Sequence, residues 1–274
     1  IINKPADFVA ESIDGLIKSH PEIYSLAKDN SSVVTTAKKS SNKVGLVAGG
    51  GSGHLPVFTG YIGKGFLDAC AIGSVFASPS VEQMLSAIKN ADNGNGVLCI
   101  IGNYGGDVMN FEMACEMAEA EGIKTKKVIV ADDIASAGKD EKDKRRGIAG
   151  MIFVFKVSGA IAENGASLDE VHKIATDINN NIRTLGVALS PCILPEAGKP
   201  TFEIDTIWEF VSSTKSREIQ MAKQPKDFPQ QTDLILFNQK SSSMYDEKEQ
   251  GRTHQIWNYD KFEFIKHQRK QSRT

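Results

Sequence analysis

A histidine and an aspartate end two glycine-rich stretches of this chain, and both side chains can move a proton. His54 closes the run Gly-Gly-Gly-Ser-Gly-His at 49–54, and Asp107 closes Gly-Asn-Tyr-Gly-Gly-Asp at 102–107. Glycine lets a backbone adopt positive φ and approach a ligand closely. A histidine and a carboxylate that converge on one ligand suit general acid and base catalysis. A plainer interpretation stays open, in which His54 lies on a tight surface turn and Asp107 caps the following helix.

Predicted strands precede these stretches and decide where the two side chains lie. Apolar runs typical of buried strands occupy 44–48, 97–101 and 127–131. Because helical patterns fill the intervals, we expect an α/β fold with a mostly parallel sheet and helices on both faces. Ligands of such sheets bind beyond the carboxyl ends of the strands. His54, Asp107 and the pair Asp132-Asp133 should therefore share one edge, although Asp132 and Asp133 also fit ordinary loop residues at a strand end.

Two helix starts are marked by serine followed three residues later by Gln or Glu. Ser80 with Gln83, and Ser167 with Glu170, match the capping-box pattern. The helix after Asp107 carries apolar residues that we expect in the core rather than around a cofactor: Val108, Met109, Met113, Met117 and Ala118.

Composition excludes several classes of protein. The net charge of -2 leaves no basic surface for nucleic acid. The apolar runs are too short to span a bilayer, and the first five residues lack the apolar core of a signal peptide. We expect a cytoplasmic protein with neither nucleic acid nor membrane as partner. Its cysteines lack C-x-x-C spacing and predict buried free thiols in a reducing compartment: Cys70, Cys99, Cys115 and Cys192.

The glycine-rich stretches do not match nucleotide-binding motifs. Residues 60–66 lack the spacing of G-x-x-x-x-G-K-[ST], and 49–54 lack the last glycine of G-x-G-x-x-G. No group of His, Cys, Asp and Glu has clear metal-ligand spacing. We therefore expect the chain to bind neither a nucleotide nor a metal itself.

Seven segments together resemble the dihydroxyacetone kinase family, specifically its dihydroxyacetone-binding subunit or domain. They occur in the order typical of the family and cover roughly the first 200 residues. The segments are G-G-G-S-G-H-L-P (49–56), G-Y-I-G-K-G-F-L-D (60–68), V-F-A-S-P-S (75–80), N-Y-G-G-D-V-M-N-F (103–111), D-D-I-A (132–135), R-R-G-I-A-G (145–150) and the stretch 186–202.

The resemblance implies a two-domain α/β subunit, usually a homodimer, that binds dihydroxyacetone or a similar small ketose. A separate nucleotide-binding kinase subunit, carrying ATP or ADP, then presents the phosphoryl group. Carried over to this chain, Gly51, Ser52, Gly53 and His54 would contact the substrate, with His54 as an acid/base residue. Asp107 would hydrogen-bond the accepting hydroxyl and act as the general base, which suits a reaction that depends on positioning and deprotonating an alcohol.

Two local departures leave the substrate open. Many members of the family have G-H-E-P-A-H where this chain has G-H-L-P-V-F at 53–58, and a lysine where it has Gly102. Both departures resemble a subgroup associated with erythrulose-type or other ketoses, or regulatory paralogues.

A third departure concerns the end of the chain. The family continues into a second domain with a G-I-H-G-E-P-G-like segment, whose histidine bonds covalently to the substrate. No such segment occurs here, and neither His254 nor His267 has the surrounding motif. After Asp205 only Gly251 remains of 24 glycines. We expect a ketose-binding domain over 1–190 and, over 191–274, a remnant or replaced second domain, translated out of frame or partly disordered, with strand-like pieces at 233–237 and 262–265.

Three functions follow from these observations. The first is the substrate-binding subunit of a dihydroxyacetone kinase, which binds a ketose and presents its hydroxyl for phosphorylation by a partner. The second is a non-catalytic, ketose-sensing coactivator or regulatory paralogue. The third is an inactive fragment. Whether the chain takes part in catalysis is left open by the missing covalent histidine.

Overall fold

The structure is a computed structural model that describes residues 2–54, 56–186 and 193–199, with the backbone of 255–258 and 263–266. The α-helices of the described part are Phe8–Ser19 (α1), Val81–Ala91 (α2), Gly105–Ala120 (α3), Met151–Glu163 (α4) and Leu168–Asn181 (α5). Its strands are Tyr24–Leu26 (β1), Val33–Thr36 (β2), Gly45–Ser52 (β3), Ala69–Val75 (β4), Val97–Gly102 (β5), Thr125–Val130 (β6), Gln255–Asn258 (β7) and Glu263–Lys266 (β8).

Six of these strands form one mixed sheet in the order β1-β2-β4-β3-β5-β6. Strand β3 pairs in parallel with β4 on one side and with β5 on the other, and β6 extends the parallel part beyond β5. Strands β1 and β2 join antiparallel at the other side. The prediction of a mostly parallel α/β sheet is confirmed.

Helices cover both faces of the sheet. Leu98 and Ile100 of β5 pack in one apolar cluster with α1, α4 and α5. Cys99 and Ile101 alternate with them and pack in a second cluster with α2 and α3. Successive side chains of a strand point to opposite faces, so a continuous apolar run such as β5 needs a helical layer on each side.

Both predicted capping boxes are present. The Gln83 N–H donates to Ser80 Oγ at 3.3 Å, and the Ser80 N–H donates back to Gln83 Oε1 at 2.7 Å. Ser167 and Glu170 make the same reciprocal pair at the start of α5. These contacts satisfy backbone donors that a helix start otherwise leaves unpaired, so α2 and α5 begin where the sequence predicts.

The prediction for the methionines of α3 is wrong. Met109, Met113 and Met117 are 58%, 49% and 44% exposed. The residues that α3 buries against the sheet are Asp107, Phe111, Ala114, Cys115 and Ala118. The helix is apolar on two sides, and a phenylalanine with small residues fits the close approach to the sheet better than three long side chains do.

Other predictions concern thiols and the end of the chain. Cys70, Cys99 and Cys115 are buried and free, as predicted, and Cys192 lies outside the described residues.

Strands β7 and β8 pair antiparallel, and β8 overlaps the strand-like piece predicted at 262–265. The piece predicted at 233–237 lies outside the described residues.

Within the described ranges, no helix combines the length and the apolar character needed to cross a bilayer.

Candidate functional site

The predicted residues do lie along one edge of the sheet. Strands β3, β5 and β6 are parallel neighbours, so their carboxyl ends meet at the same edge. His54 follows β3 by two residues, Asp107 lies in the first turn of α3 just after β5, and Asp132 follows β6 by two residues. This is the edge at which open α/β sheets bind ligands.

The glycines of the first stretch do not form the loop that their sequence suggests. Strand β3 continues through Gly49, Gly50 and Gly51 to Ser52 and stays paired with β4. These positions need glycine because of close packing: a Cβ at Gly50 would lie 2.4 Å from the Phe58 ring. Positive φ is confined to Gly53, at +95°, where the chain turns away from the sheet. Only this last part of the stretch therefore forms a turn that presents a side chain, that of His54.

His54 stacks on an aromatic residue from the neighbouring strand's loop. Its ring centroid lies 4.4 Å from that of Phe76, at an interplanar angle of 51°. Phe76 has φ of +56°, and its N–H donates to the Ser52 carbonyl at 3.0 Å, which ties this loop to the end of β3. His54 is exposed by its surface area, yet desolvation by the atoms that surround it lowers its pKa. The neutral ring, which can accept a proton, is thereby favoured.

Asp107 is buried, with 7% of its surface exposed. Tyr104 occupies the N-cap position of α3, so the alternative in which Asp107 is the cap is wrong. Burial raises the pKa of Asp107, and a hydrogen bond with the Ser78 hydroxyl opposes that rise. Its Oδ1 atom is buried without any hydrogen-bond partner. A carboxyl with a raised pKa and a free oxygen is a suitable proton acceptor.

A second buried polar atom without a partner lies at the same edge. The Oγ atom of Ser52, at the end of β3, also has no hydrogen-bond partner. Buried polar groups are nearly always paired, because an unpaired one loses its hydration without replacement. The unpaired oxygen at the end of β3 and the one in the first turn of α3 are therefore atoms that a polar ligand would stabilise, whereas a third, Ser158 Oγ, lies within α4.

The loop after β4 joins the two halves of the candidate site. Its Phe76 contacts His54, and its Ser78 bonds Asp107, so residues 76–78 touch both predicted acid/base groups. Sequence reasoning included this segment only as part of the family resemblance and gave Phe76 and Ser78 no role. The signal that bears on them is the position of the loop, because it too follows the carboxyl end of a parallel strand.

Asp132 and Asp133 differ from Asp107 because their carboxylates are already paired. Asp132 accepts hydrogen bonds from the N–H groups of Ile148 (2.9 Å) and Gly150 (2.8 Å) and from the Thr184 hydroxyl. Asp133 accepts one from the Ala135 N–H at 3.0 Å. Burial raises the pKa of both groups. The structure thus supports the loop interpretation of this pair, in which the carboxylates hold the chain between β6 and α4.

The surroundings of Gly102 leave little space for a side chain. A Cβ there would lie 3.2 Å from the Tyr104 ring and 3.3 Å from Met151 Sδ. The guanidinium of Arg146 lies over the same Tyr104 ring, 5.5 Å from its centroid. Any larger residue at Gly102 would therefore displace Tyr104 or Met151, next to the turn that carries Asp107.

A wide groove of about 890 Å³ lies at the opposite edge of the sheet and is separate from these residues. It is lined by the segments that precede β3, β5 and β6 and by the turn before α5: 42–44, 94–95, 122–126 and 165–170. The parts of the chain that the structure describes hold no group of three or more His, Cys, Asp and Glu arranged to bind a metal ion.

Comparison with known proteins gives a family and relatives for this part of the chain. The Dak1 domain family matches residues 14–207. The dihydroxyacetone-binding subunit DhaK of a PTS-dependent dihydroxyacetone kinase from Lactococcus lactis subsp. lactis (strain IL1403) is 48% identical over 205 residues, which are 75% of this chain and 61% of that protein. The chain thus spans about three fifths of the length of this relative and of a DhaK subunit from Listeria innocua.

Solved structures agree with this assignment. The dihydroxyacetone kinase of C. freundii in its native form superposes with a TM-score of 0.67 at 38% identity, over 77% of this chain and 38% of that one. The dihydroxyacetone kinase operon co-activator Dha-DhaQ superposes with a TM-score of 0.65 at 33% identity, over 71% of this chain and 59% of that one. The chain belongs to the Dak1 domain family.

Proposed function

We propose that this chain binds dihydroxyacetone or a related small ketose at the carboxyl edge of β3, β4 and β5 and presents a substrate hydroxyl for phosphorylation. The phosphoryl group comes from a separate kinase subunit that carries ATP or ADP. The names of the relatives support this proposal, since DhaK is a dihydroxyacetone-binding subunit in Lactococcus lactis. The homodimer implied by the resemblance stays a prediction, which light scattering of the purified chain tests.

The observation that carries the proposal is the pair of unpaired oxygens, Ser52 Oγ and Asp107 Oδ1. A ketose of three or four carbons offers hydroxyl donors for Asp107 and hydroxyl or carbonyl acceptors for Ser52. Binding such a polyol would pair both atoms and recover the free energy that their burial costs the empty protein. An apolar ligand would leave both atoms unpaired.

Each candidate residue then has a distinct role. Asp107 accepts the proton of the attacking hydroxyl, a task favoured by its raised pKa. His54, whose pKa is lowered, is a neutral acid/base group beside the substrate. Gly51 packs against the backbone of Phe76 and Ala77, which keeps Ser52 at the end of β3, and Gly53 turns the chain so that His54 is presented to the ligand. Ser78 holds the Asp107 carboxylate in a fixed orientation.

A second function, ketose sensing without turnover, is favoured by one specific observation. The co-activator Dha-DhaQ superposes almost as well as the kinase does, with TM-scores of 0.65 and 0.67. A sensor needs the same unpaired oxygens to bind its ligand but has no need of a proton acceptor. Asp107 would then contribute to affinity alone.

The experiment measures binding and turnover separately. Titration calorimetry gives the affinity of the full chain for dihydroxyacetone and erythrulose. Phosphoryl transfer is followed with a purified nucleotide-bearing subunit and ATP. Asp107→Asn is compared with Asp14→Asn, which changes an exposed carboxylate of α1 that pairs with Lys18.

Turnover that falls at least about a hundredfold in Asp107→Asn and is unchanged in Asp14→Asn supports the general-base role. Binding without turnover in the unsubstituted chain selects the sensor. Turnover that survives Asp107→Asn removes the base assignment. A chain that binds neither ketose refutes both functions.

A further inference from the structure

Two cysteines face each other between β5 and α3, away from the candidate site's polar atoms. Cys99 lies on β5 and Cys115 on α3, and their Sγ atoms are 3.7 Å apart. Both are free thiols in the apolar cluster between the sheet and helices α2 and α3. Cys70 packs in the cluster on the other face of the sheet, so it does not compete for either thiol.

The two thiols have different surroundings. Cys99 is fully buried, whereas Cys115 retains 7% exposure at the margin of α3. The contact with Cys99 lowers the pKa of Cys115, helped by Thr125 and Lys127 and opposed by burial. The same contact, together with burial, raises the pKa of Cys99 well above its usual value. Because Cys115 is the one of the two that retains exposure, it is the thiol that an oxidant reaches first, and Cys99 is the thiol that can resolve an oxidised partner.

We propose that Cys99 and Cys115 are an oxidation site, which a hydroperoxide converts into an intramolecular disulfide. The Cys115 thiolate attacks one peroxide oxygen, the O–O bond breaks, and the protein gains a sulfenic acid while water leaves. The Cys99 sulfur then attacks Cys115 Sγ, the S–O bond breaks, and the hydroxide leaves as a second water with the thiol proton. Two thiols and one H₂O₂ give one disulfide and two H₂O.

The geometry favours this pair because the two sulfurs are already in contact, and bond formation would shorten their separation from 3.7 Å to about 2.05 Å. The product would fasten α3 to β5. These are the two elements whose junction carries Asp107. The inference does not depend on ketose binding, since it uses neither His54 nor Asp107.

In the experiment the full chain is first reduced and then treated with limiting H₂O₂. It is afterwards unfolded, and its remaining thiols are labelled with iodoacetamide. Trypsin releases residues 90–124 as one peptide that contains both cysteines and neither of the other two. We expect this peptide to be two hydrogens lighter and to take up no label until dithiothreitol is added. Cleavage after Glu112 separates the two cysteines in sequence, and the halves should stay joined until reduction.

Two cysteine variants serve as controls, and oxidation of a methionine in the same peptide shows whether enough peroxide was added. In Cys99→Ser, dimedone should trap Cys115 as a sulfenic acid, whereas Cys70→Ser should leave the result for peptide 90–124 unchanged. Exposed Met109 lies in the same peptide and gains one oxygen when the peroxide dose is sufficient. Full labelling of both cysteines at a dose that oxidises Met109 would overturn the proposal, as would a disulfide from Cys115 to any other cysteine.

Discussion

Replacing Lys43 by methionine removes the cation from a buried charge cluster that links the starts of β3 and β4. Lys43 is 4% exposed, just before β3, and its Nζ lies 2.7 Å from Asp68 Oδ2, just before β4. A second carboxylate, Glu163 at the end of α4, lies 3.6 Å from the same Nζ. Asp68 also accepts the Leu46 N–H at 2.9 Å. The cluster thus ties the start of β3 to the start of β4, the two strands that the 53–68 segment connects.

The expected loss is large because the substitution leaves Asp68 and Glu163 without their cation. Removing one partner of a buried ion pair costs about 3–5 kcal/mol, against a total stability of about 5–15 kcal/mol for a folded domain. Since about 1 kcal/mol lowers Tm by about 2–4 °C in chains of this size, Tm should fall by about 6–20 °C. Methionine keeps the length and apolar volume of the lysine stem, so lost packing contributes little.

The loss should depend on pH in a defined direction. Burial raises the pKa of Asp68 even with Lys43 present, and Lys43 opposes that rise. Without Lys43 the pKa of Asp68 rises further. A carboxyl whose pKa is higher in the folded state than in the unfolded state destabilises the fold at pH values where it is ionised in both states. This destabilisation disappears when the pH falls below the pKa of the unfolded state, which is about 3.9. The difference in unfolding free energy between the variant and the unsubstituted chain should therefore be largest near neutral pH and decrease as the pH falls.

Urea unfolding followed by circular dichroism at pH 8 and at pH 4.5 measures both effects. The matched control is Lys18→Met, which breaks an exposed pair with Asp14 and should change stability by less than about 0.5 kcal/mol. Lys43→Met combined with Asp68→Leu should recover part of the loss, because no unpaired Asp68 carboxylate remains. A loss below about 1 kcal/mol at pH 8, or a loss that grows at pH 4.5, would refute the reasoning.

Three further substitutions, with one control in α1, test the site and its supports. Asp107→Asn should raise the unfolding free energy at pH 8 by about 1 kcal/mol, because it removes a buried charge with an unpaired oxygen; the gain in urea titrations should vanish near pH 4. Asp132→Ala should cost about 3 kcal/mol or more in the same titrations, since it leaves the buried Gly150 N–H, the partly buried Ile148 N–H and the Thr184 hydroxyl without their acceptor. Gly50→Ala should lower stability by about 1–3 kcal/mol because its Cβ meets the Phe58 ring, whereas Gly15→Ala, with open space around it inside α1, should raise Tm in calorimetric scans.

The sequence predicts well those parts of the fold that are determined by a few residues close together in the chain. Ser80 and Ser167 each supply a capping side chain and find a partner three residues on, so α2 and α5 begin as predicted. The run Val97–Gly102 is apolar throughout, which only a strand covered on both faces satisfies over so short a length. The edge shared by His54 and Asp107 follows from strand direction alone.

The parts that sequence misses depend on neighbours that are distant along the chain. The glycines after Ala48 predict a loop, but β3 continues to Ser52, and only the Phe58 ring shows why Gly50 belongs in a strand. Periodicity predicts a core position for the methionines of α3 because it cannot choose between two apolar stripes. The role of Ser78 depends on its hydrogen bond with Asp107, which the sequence does not reveal.

Three buried aspartates show why hydrogen-bond pairing, rather than a perturbed pKa, identifies the candidate site. Burial raises the pKa of Asp68, Asp107 and Asp132 alike. Asp68 has the Lys43 ammonium and a backbone N–H, and Asp132 has two backbone N–H groups and a hydroxyl. Asp107 has Ser78 alone and keeps Oδ1 unpaired. Among the described residues, neither Asp68 nor Asp132 has a buried oxygen without a hydrogen-bond partner, which makes the incomplete pairing of Asp107 a feature that a ligand explains.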